Sequence, residues 1–190
     1  MIERTKEDNA LLQEVLENFH CDKDRDIEYF LHKRAIEFEN LSKARTYLLC
    51  DENQFFEIGF SLDKLIIYGY LALAVKILSV PKETSNRARK ELDGLSAKIH
   101  GEVITDFPCF LIGQLARNSN VEKESLKGEV LLEQAYSIIE VAVNAVGGRY
   151  ILIECLDKKN LITFYQKNGF TEIARIPDGE HQMVQMIRKF

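Results

Sequence analysis

What the chain lacks narrows its class first. Its four cysteines, Cys21, Cys50, Cys109 and Cys155, stand far apart and form no Cys-x-x-Cys pair. That spacing argues against a zinc site and a disulfide framework, and predicts reduced, mostly buried thiols with no metal. No apolar run approaches the roughly 20 residues needed to span a bilayer. The opening Met1-Ile-Glu-Arg-Thr-Lys-Glu-Asp is charged and has no apolar signal core, so a cytoplasmic protein without membrane association is expected. Positive charge is not in excess: 25 Lys and Arg face 30 Asp and Glu, a net −5, so no overall field draws in nucleic acid. Internal repeats and low-complexity tracts are absent. The four histidines, His20, His32, His100 and His181, are scattered, and none pairs with Ser or Cys in a triad motif.

What is present is enough apolar residue for a full core. The 190 residues are 46% hydrophobic, which suits one α/β domain over 1–190. Leu11, Leu12, Val15 and Leu16 predict a helix over 5–17, capped weakly by Thr5 and Asp8, with a strand over 13–19 as its competitor. A charged entry, Asp22–Asp26, leads into a second helix whose apolar face is Ile27, Phe30, Leu31, Ala35 and Phe38, with the Arg34 stem alongside. Thr46–Asp51 reads as a strand. Leu65–Leu78 is almost unbroken apolar; a buried helix would fit, but Gly69 and the β-branched and aromatic content favour a long buried strand. Between them, 52–64 is a loop with three phenylalanines, long for a turn, and expected to pack something or bind a partner. Pro81 ends the strand, and Gly94 closes a short charged helix over 84–93.

The second half alternates. A strand over 107–116 precedes a helix over 128–146, whose stripe is Leu131, Ala135, Ile138, Ile139, Ala142 and Val146. Gly147-Gly148 stops it, a buried strand covers 150–156, and a helix covers 158–168. Strands at 171–176 and 183–188 flank the turn signal Pro177-Asp-Gly179. Strand–helix–strand predicts 107–116 and 150–156 as parallel neighbours, with antiparallel pairs before and after: a mixed α/β sheet around a central βαβ unit.

The stretch Asn160-Leu-Ile-Thr-Phe-Tyr165-Gln-Lys-Asn-Gly169-Phe170 carries the most specific pattern. Leu161, Phe164 and Tyr165 share a helix face, and Gly169 falls where a left-handed cap forms without steric cost. On residue types alone this also fits an ordinary helix–glycine–strand junction. It resembles the end of the acyl-CoA N-acyltransferase (GNAT) superfamily fold, and the order of elements matches that fold over nearly the whole chain. The resemblance implies transfer of an acetyl group from acetyl-CoA, without metal, to a primary amine. Tyr165 would then protonate the leaving thiolate, a contribution of typically ~10²–10⁴-fold, with a backbone N–H near Leu115 facing the oxyanion. Glu154 is the candidate base by position; a salt-bridged strand glutamate is the alternative.

For the cofactor, the resemblance places Gln114, Leu115, Ala116 and Arg117 along the pantetheine arm. The pyrophosphate loop maps onto Lys123-Glu-Ser-Leu-Lys-Gly128, followed by a helix N-terminus whose unpaired amides and dipole favour anions. Gly128 keeps the final small position. Lys123 stands where the family has Gln or Arg, and Leu126 replaces the first glycine. Lys127 adds charge. In the last helix Lys158 stands where an asparagine often contacts the cofactor, and Phe164 lies beside Tyr165. Without the resemblance, 117–128 reads equally as a solvated loop.

Three segments resemble the toxin-type branch of that superfamily: Phe19-His-Cys21 with Tyr29-Phe-Leu31, Arg45–Asp51 with Gly69–Leu73, and Pro108–Ala116. That branch implies an aminoacyl-tRNA acceptor and an antitoxin protein partner; a small molecule or peptide amine remains open, as does monomer or homodimer. Arg87, Arg89, Lys90 and Arg117 form the candidate basic patch, or else a solvated helix face. The alternative function is a non-catalytic GNAT-like binding module, held by a protein partner, in which the lost glycine marks a degenerate cofactor loop.

Overall fold

A computed structural model describes residues 6–190, with side chains from residue 10 onward; the expected Thr5 cap and the Asp8 side chain lie outside these. Six long strands are hydrogen-bonded in the order β1-β2-β5-β6-β8-β7. They are β1 (Arg45–Cys50), β2 (Ile67–Ser79), β5 (Asp106–Arg117), β6 (Tyr150–Leu156), β7 (Thr171–Asp178) and β8 (His181–Lys189). β5 and β6 are parallel, in register from Phe110↔Ile151 to Ile112↔Ile153. The pairs β1–β2, β6–β8 and β7–β8 are antiparallel. This is the expected mixed α/β sheet. The chain divides into two compact units, the first up to Ala74 with Gly113–Ile138, the second Val75–Ile112 with Ile139–Phe190.

In the first unit, α1 (Lys6–Glu17) is a helix, as its periodicity predicts, and buries Val15 and Leu16. The second helical stretch is less regular. Asp24 caps α2 (Arg25–Tyr29) through its carboxylate, which accepts the Asp26 N–H at 3.0 Å. A π-turn over Phe30–Arg34 then leads into α3 (Ala35–Asn40). The extra residue of the π-turn rotates the face, so that Leu31 and Ala35 are buried while Phe30 and Phe38 are half-buried. The Arg34 guanidinium lies 5.3 Å from the Phe38 ring centre. Phe19, Leu31, Ile67 and Tyr70 are fully enclosed at the centre of this unit. β2 explains its own sequence: Gly69–Leu73 is buried on both sides, so the apolar run is continuous there. Short 3₁₀ turns over Glu52–Phe56 and Leu62–Lys64 shape the loop between β1 and β2.

In the second unit β2 continues with alternation, Val75 and Ile77 exposed and Leu78 buried. Ser85 caps α4 (Asn86–Asp93) by accepting the Ala88 N–H, and Gly94 ends it at φ 91°. A small hairpin, β3 (Lys98–Ile99) with β4 (Glu102–Val103), follows; its two-residue strands are too short for any periodicity. The core gathers Leu78, Phe107, Cys109, Tyr150 and Leu152. β7 runs through Pro177 and Asp178, two residues past the expected strand end, and the turn falls at Gly179 (φ 59°). Helix α5 (Gly128–Val146) has the expected bounds. Leu131, Leu132, Ala135 and Ile139 are buried, but Val146, expected on the core stripe, is 79% exposed.

Arg89 overturns its reading as part of a basic patch. It is 2% exposed, and its guanidinium donates to the carbonyls of Pro81 (3.0 Å), Lys82 (2.5 Å) and Thr84, which fold the β2–α4 connection around it. Arg87 and Lys90 on the same helix stay exposed. Arg89→Met should therefore destabilise the protein by about 2–4 kcal/mol, since charge-assisted hydrogen bonds are lost and three buried or part-buried carbonyls are orphaned. Arg87→Met should shift stability by less than about 0.5 kcal/mol. Urea denaturation of both variants checks the contrast.

The four thiols are unpaired, and burial pushes those of Cys109 and Cys155 up to about 11. In the unfolded chain they ionise near the ordinary value of 9.0. Between those two pH values the unfolded state therefore binds fewer protons than the folded one, and stability falls as pH rises. Denaturation curves at about pH 8 and pH 10.5 should show this loss, and the loss should be smaller in Cys109→Ala.

Candidate functional site

The residues expected at the site fall into two sets, one in each compact unit. In the first unit, the C-terminal end of β5 carries Gln114, Leu115, Ala116 and Arg117, of which only Ala116 is buried. Gln114 accepts weakly from the Tyr70 hydroxyl at 3.4 Å, whose stronger bond goes to the Ile27 carbonyl at 2.6 Å. Burial raises the Tyr70 phenol well above the ordinary tyrosine range, so it stays a neutral donor. Arg117 reaches the Val121 carbonyl at 3.5 Å, inside the loop that it opens.

Asn118, which the sequence reading passed over, fixes that loop. It is 2% exposed, and its carboxamide donates to the Ile67 carbonyl at 2.8 Å. Its oxygen accepts the N–H groups of His20 (3.2 Å) and Asn120 (2.9 Å). Its own N–H donates to the Tyr68 carbonyl at 2.8 Å. Nothing in local pattern marks such an asparagine, because its partners are backbone groups from distant segments. Ser119 adds two bonds to the same segment, its N–H to the His20 carbonyl and its hydroxyl accepting from Asp22.

The loop then runs exposed through Lys123 and Ser125 to Lys127 and Gly128, where α5 starts. Leu126 is the departure that threatened an anion cradle. Its side chain is 8% exposed and packs over Gly69 of β2: a Cβ on Gly69 would stand 2.6 Å from Leu126 Cδ2, 2.9 Å from the Ala116 carbonyl and 3.2 Å from Leu131 Cδ2. The leucine is thus part of the core, and the exposed surface of the loop is left to Glu122, Lys123, Glu124, Ser125, Lys127 and the first amides of α5. Of these, the cations, the hydroxyl and the helix N–H groups without intrahelical partners fit a pyrophosphate, while Glu122 and Glu124 on either side of Lys123 oppose it.

The second unit holds Glu154, Lys158, Phe164 and Tyr165. Lys158 is the extended residue before α6 (Lys159–Lys167), and its carbonyl accepts the Leu161 N–H at 2.9 Å. Tyr165 is 9% exposed and stacks edge-on against Phe164 at 5.1 Å and Phe170 at 5.6 Å between ring centres. Gly169 takes φ 85°, as expected of a left-handed cap, and the Phe170 N–H returns to the Tyr165 carbonyl at 3.1 Å. The ring is therefore held by the helix end and by two aromatic neighbours. Glu154 lies on β6 with both oxygens engaged, one by Lys76 Nζ at 2.6 Å and the other by Gln185 Nε2 at 2.8 Å. To accept a substrate proton it would have to give up one of these partners.

A further opening of the first unit, about 620 Å³, is lined by His20, Cys21, Arg25, Glu28, Tyr29 and His32 among others. Glu28 accepts the Cys21 N–H at 2.7 Å and lies 3.7 Å from His20 Nδ1. Among the described residues no cluster of His, Cys, Asp or Glu could hold a metal ion, and no helix is long and apolar enough to cross a membrane.

No protein-family model and no curated protein matches the chain. Solved structures do. A tyrosine-to-phenylalanine variant of KacT is 16% identical with a TM-score of 0.63, over 90% of this chain and 85% of that one. A tyrosine-to-phenylalanine variant of the AtaT toxin, bound to the C-terminus of the antitoxin AtaR and acetyl-CoA, is 17% identical with a TM-score of 0.59, over 92% and 84%. AtaT complexed with acetyl-methionyl-tRNAfMet is 18% identical with a TM-score of 0.59, over 89% and 85%. The fold is that of the GNAT acyl-CoA N-acyltransferases, as the resemblance implied.

Leu126→Gly is expected to cost about 2–5 kcal/mol through the cavity left over Gly69. Gly69→Val should cost about 1–3 kcal/mol through overpacking. Thermal unfolding, with and without coenzyme A, measures both.

Proposed function

We propose that the protein is an acetyl-CoA-dependent N-acetyltransferase acting on a primary amine, with aminoacyl-tRNA as the favoured acceptor and an antitoxin-like protein as partner. The observation that carries the reading is a fold shared over about nine-tenths of the chain with toxin structures, with Tyr165 enclosed at the α6–β7 junction where the resemblance requires a proton donor. The acetyl-CoA and acetylated tRNA in the AtaT complexes support the choice of substrates.

Acetyl-CoA is a substrate in this scheme. Lys123, Lys127 and the amides from Gly128 onward hold its phosphates, and Gln114, Leu115, Ala116 and Arg117 line the arm; Lys158 and Phe164 are further cofactor candidates that the sequence resemblance names. The amine nitrogen attacks the thioester carbonyl, the C–S bond breaks, the nitrogen loses a proton, and the sulfur takes one from the Tyr165 hydroxyl. A backbone N–H near Leu115 stabilises the oxyanion. Glu154 is the candidate to receive the amine proton, in exchange for its bond to Gln185.

Tyr165→Phe should lower turnover by about 10–10³-fold and leave coenzyme A affinity nearly intact, because the hydroxyl acts mainly on the leaving group. Glu154→Gln should lower turnover at least tenfold if the carboxylate is the base, and leave it nearly unchanged if its role is the Lys76 pair. Calorimetry with coenzyme A comes first. No heat at millimolar concentration would end the enzyme reading and leave the binding module. Binding without acetylated aminoacyl-tRNA in expressing cells would move the acceptor to a small molecule or peptide.

A further inference from the structure

The loop between β1 and β2 exposes apolar surface that the catalytic reading does not use. Phe55 is 51% exposed, Phe56 82%, Leu62 44%, Ile66 49%, and Ile58 is fully exposed. Burying these in water-free contact would be favourable at about 25 cal/mol per Å², and contiguous exposed apolar surface marks interaction sites.

The loop is built to hold this surface out. Asp51 accepts the Asn53 N–H at 2.9 Å and starts the first 3₁₀ turn. Gln54 is 9% exposed, and its carboxamide pairs with the backbone of Ile66, accepting its N–H at 2.8 Å and donating to its carbonyl at 3.3 Å. Asn18 donates to the Asp63 carbonyl at 3.0 Å, and the Phe55 and Phe60 rings meet at 5.1 Å. The polar groups tie down the backbone at its base, while the apolar side chains face solvent.

Charge identifies the occupant. Asp51, Glu52, Glu57 and Asp63 lie in the loop against the single cation Lys64, and the whole chain carries −5. Such a rim repels phosphates, so nucleic acid and an anionic lipid surface are disfavoured. A symmetric contact with a second copy would set carboxylates against carboxylates. We infer that this loop is a docking surface for a basic, apolar-anchored segment of a partner protein, whose large apolar side chains cover Phe56 and Ile58 and whose Lys or Arg residues meet Glu52, Glu57 and Asp63. The inference is independent of the catalytic reading.

Two fluorescent peptides test it on the full chain. They share one amphipathic pattern of leucines and differ in bearing Lys or Glu at every polar position. The Lys peptide should bind and weaken at least tenfold in Phe56→Ser/Ile58→Ser and in Glu57→Lys, and it should lose affinity as salt rises. The Glu peptide should bind at least tenfold more weakly than the Lys peptide. Unchanged melting temperature confirms that these exposed substitutions leave the fold intact. Equal binding of both peptides, or binding indifferent to the loop variants, overturns the proposal. So does sedimentation showing a dimer that the double variant dissolves, which would assign the loop to a second copy, or binding to phosphatidylserine vesicles that the double variant abolishes, which would assign it to a lipid surface.

Discussion

Contact between Leu126 and the bare backbone of Gly69 sets the path of the chain from β5 into α5. Any side chain at 69 would collide with Leu126, Leu131 and the Ala116 carbonyl at once. The glycine therefore lets strand, loop and helix approach more closely than Cβ atoms permit. Two residues after Leu126, α5 begins at Gly128. At the other end of the same loop Asn118, the residue after β5, bonds to Ile67, Tyr68 and His20. A loop pinned at both ends by core contacts keeps its shape without an internal glycine.

Long periodic elements were legible in the sequence for a simple reason. α5 presents five helical turns bounded by Gly128 and Gly147-Gly148, and its predicted bounds are the observed ones. β2 was legible as a strand through Gly69 and its β-branched residues, although a continuous apolar run cannot by itself tell strand from helix. The Tyr165–Gly169–Phe170 junction was legible because positive φ at a glycine has a sequence signature. The β3–β4 hairpin and the π-turn at Phe30–Arg34 were not. The first is too short for a pattern, and the second is a one-residue irregularity inside a good helical period.

Arg89 and Asn118 show a different limit. Both are buried polar residues whose partners are carbonyls and N–H groups. Every residue carries those groups, so no pairing of side-chain types betrays the contact. A charged run such as Arg87-Ala-Arg89-Lys90 therefore looks like a solvated face even when one member is inside. Val146 fails in the opposite sense: it keeps the helical period of the stripe after the helix has left the core.

Several cations of this acidic chain are committed locally. Arg89 and Arg149 bind backbone carbonyls, Arg175 holds Glu172 and Asp157, and Arg45 holds Glu39. Other cations stay exposed, Lys23, Arg25, Arg87, Lys90, Lys123, Lys127, Lys158 and Lys159 among them. Each phosphate contact contributes through counterion release, so the salt slope of any polyanion binding reports how many of these cations take part. The carboxylates of the β1–β2 loop work the other way, favouring a cationic protein over RNA. Where the proposed acceptor and the inferred partner both hold, salt weakens each through groups of opposite sign.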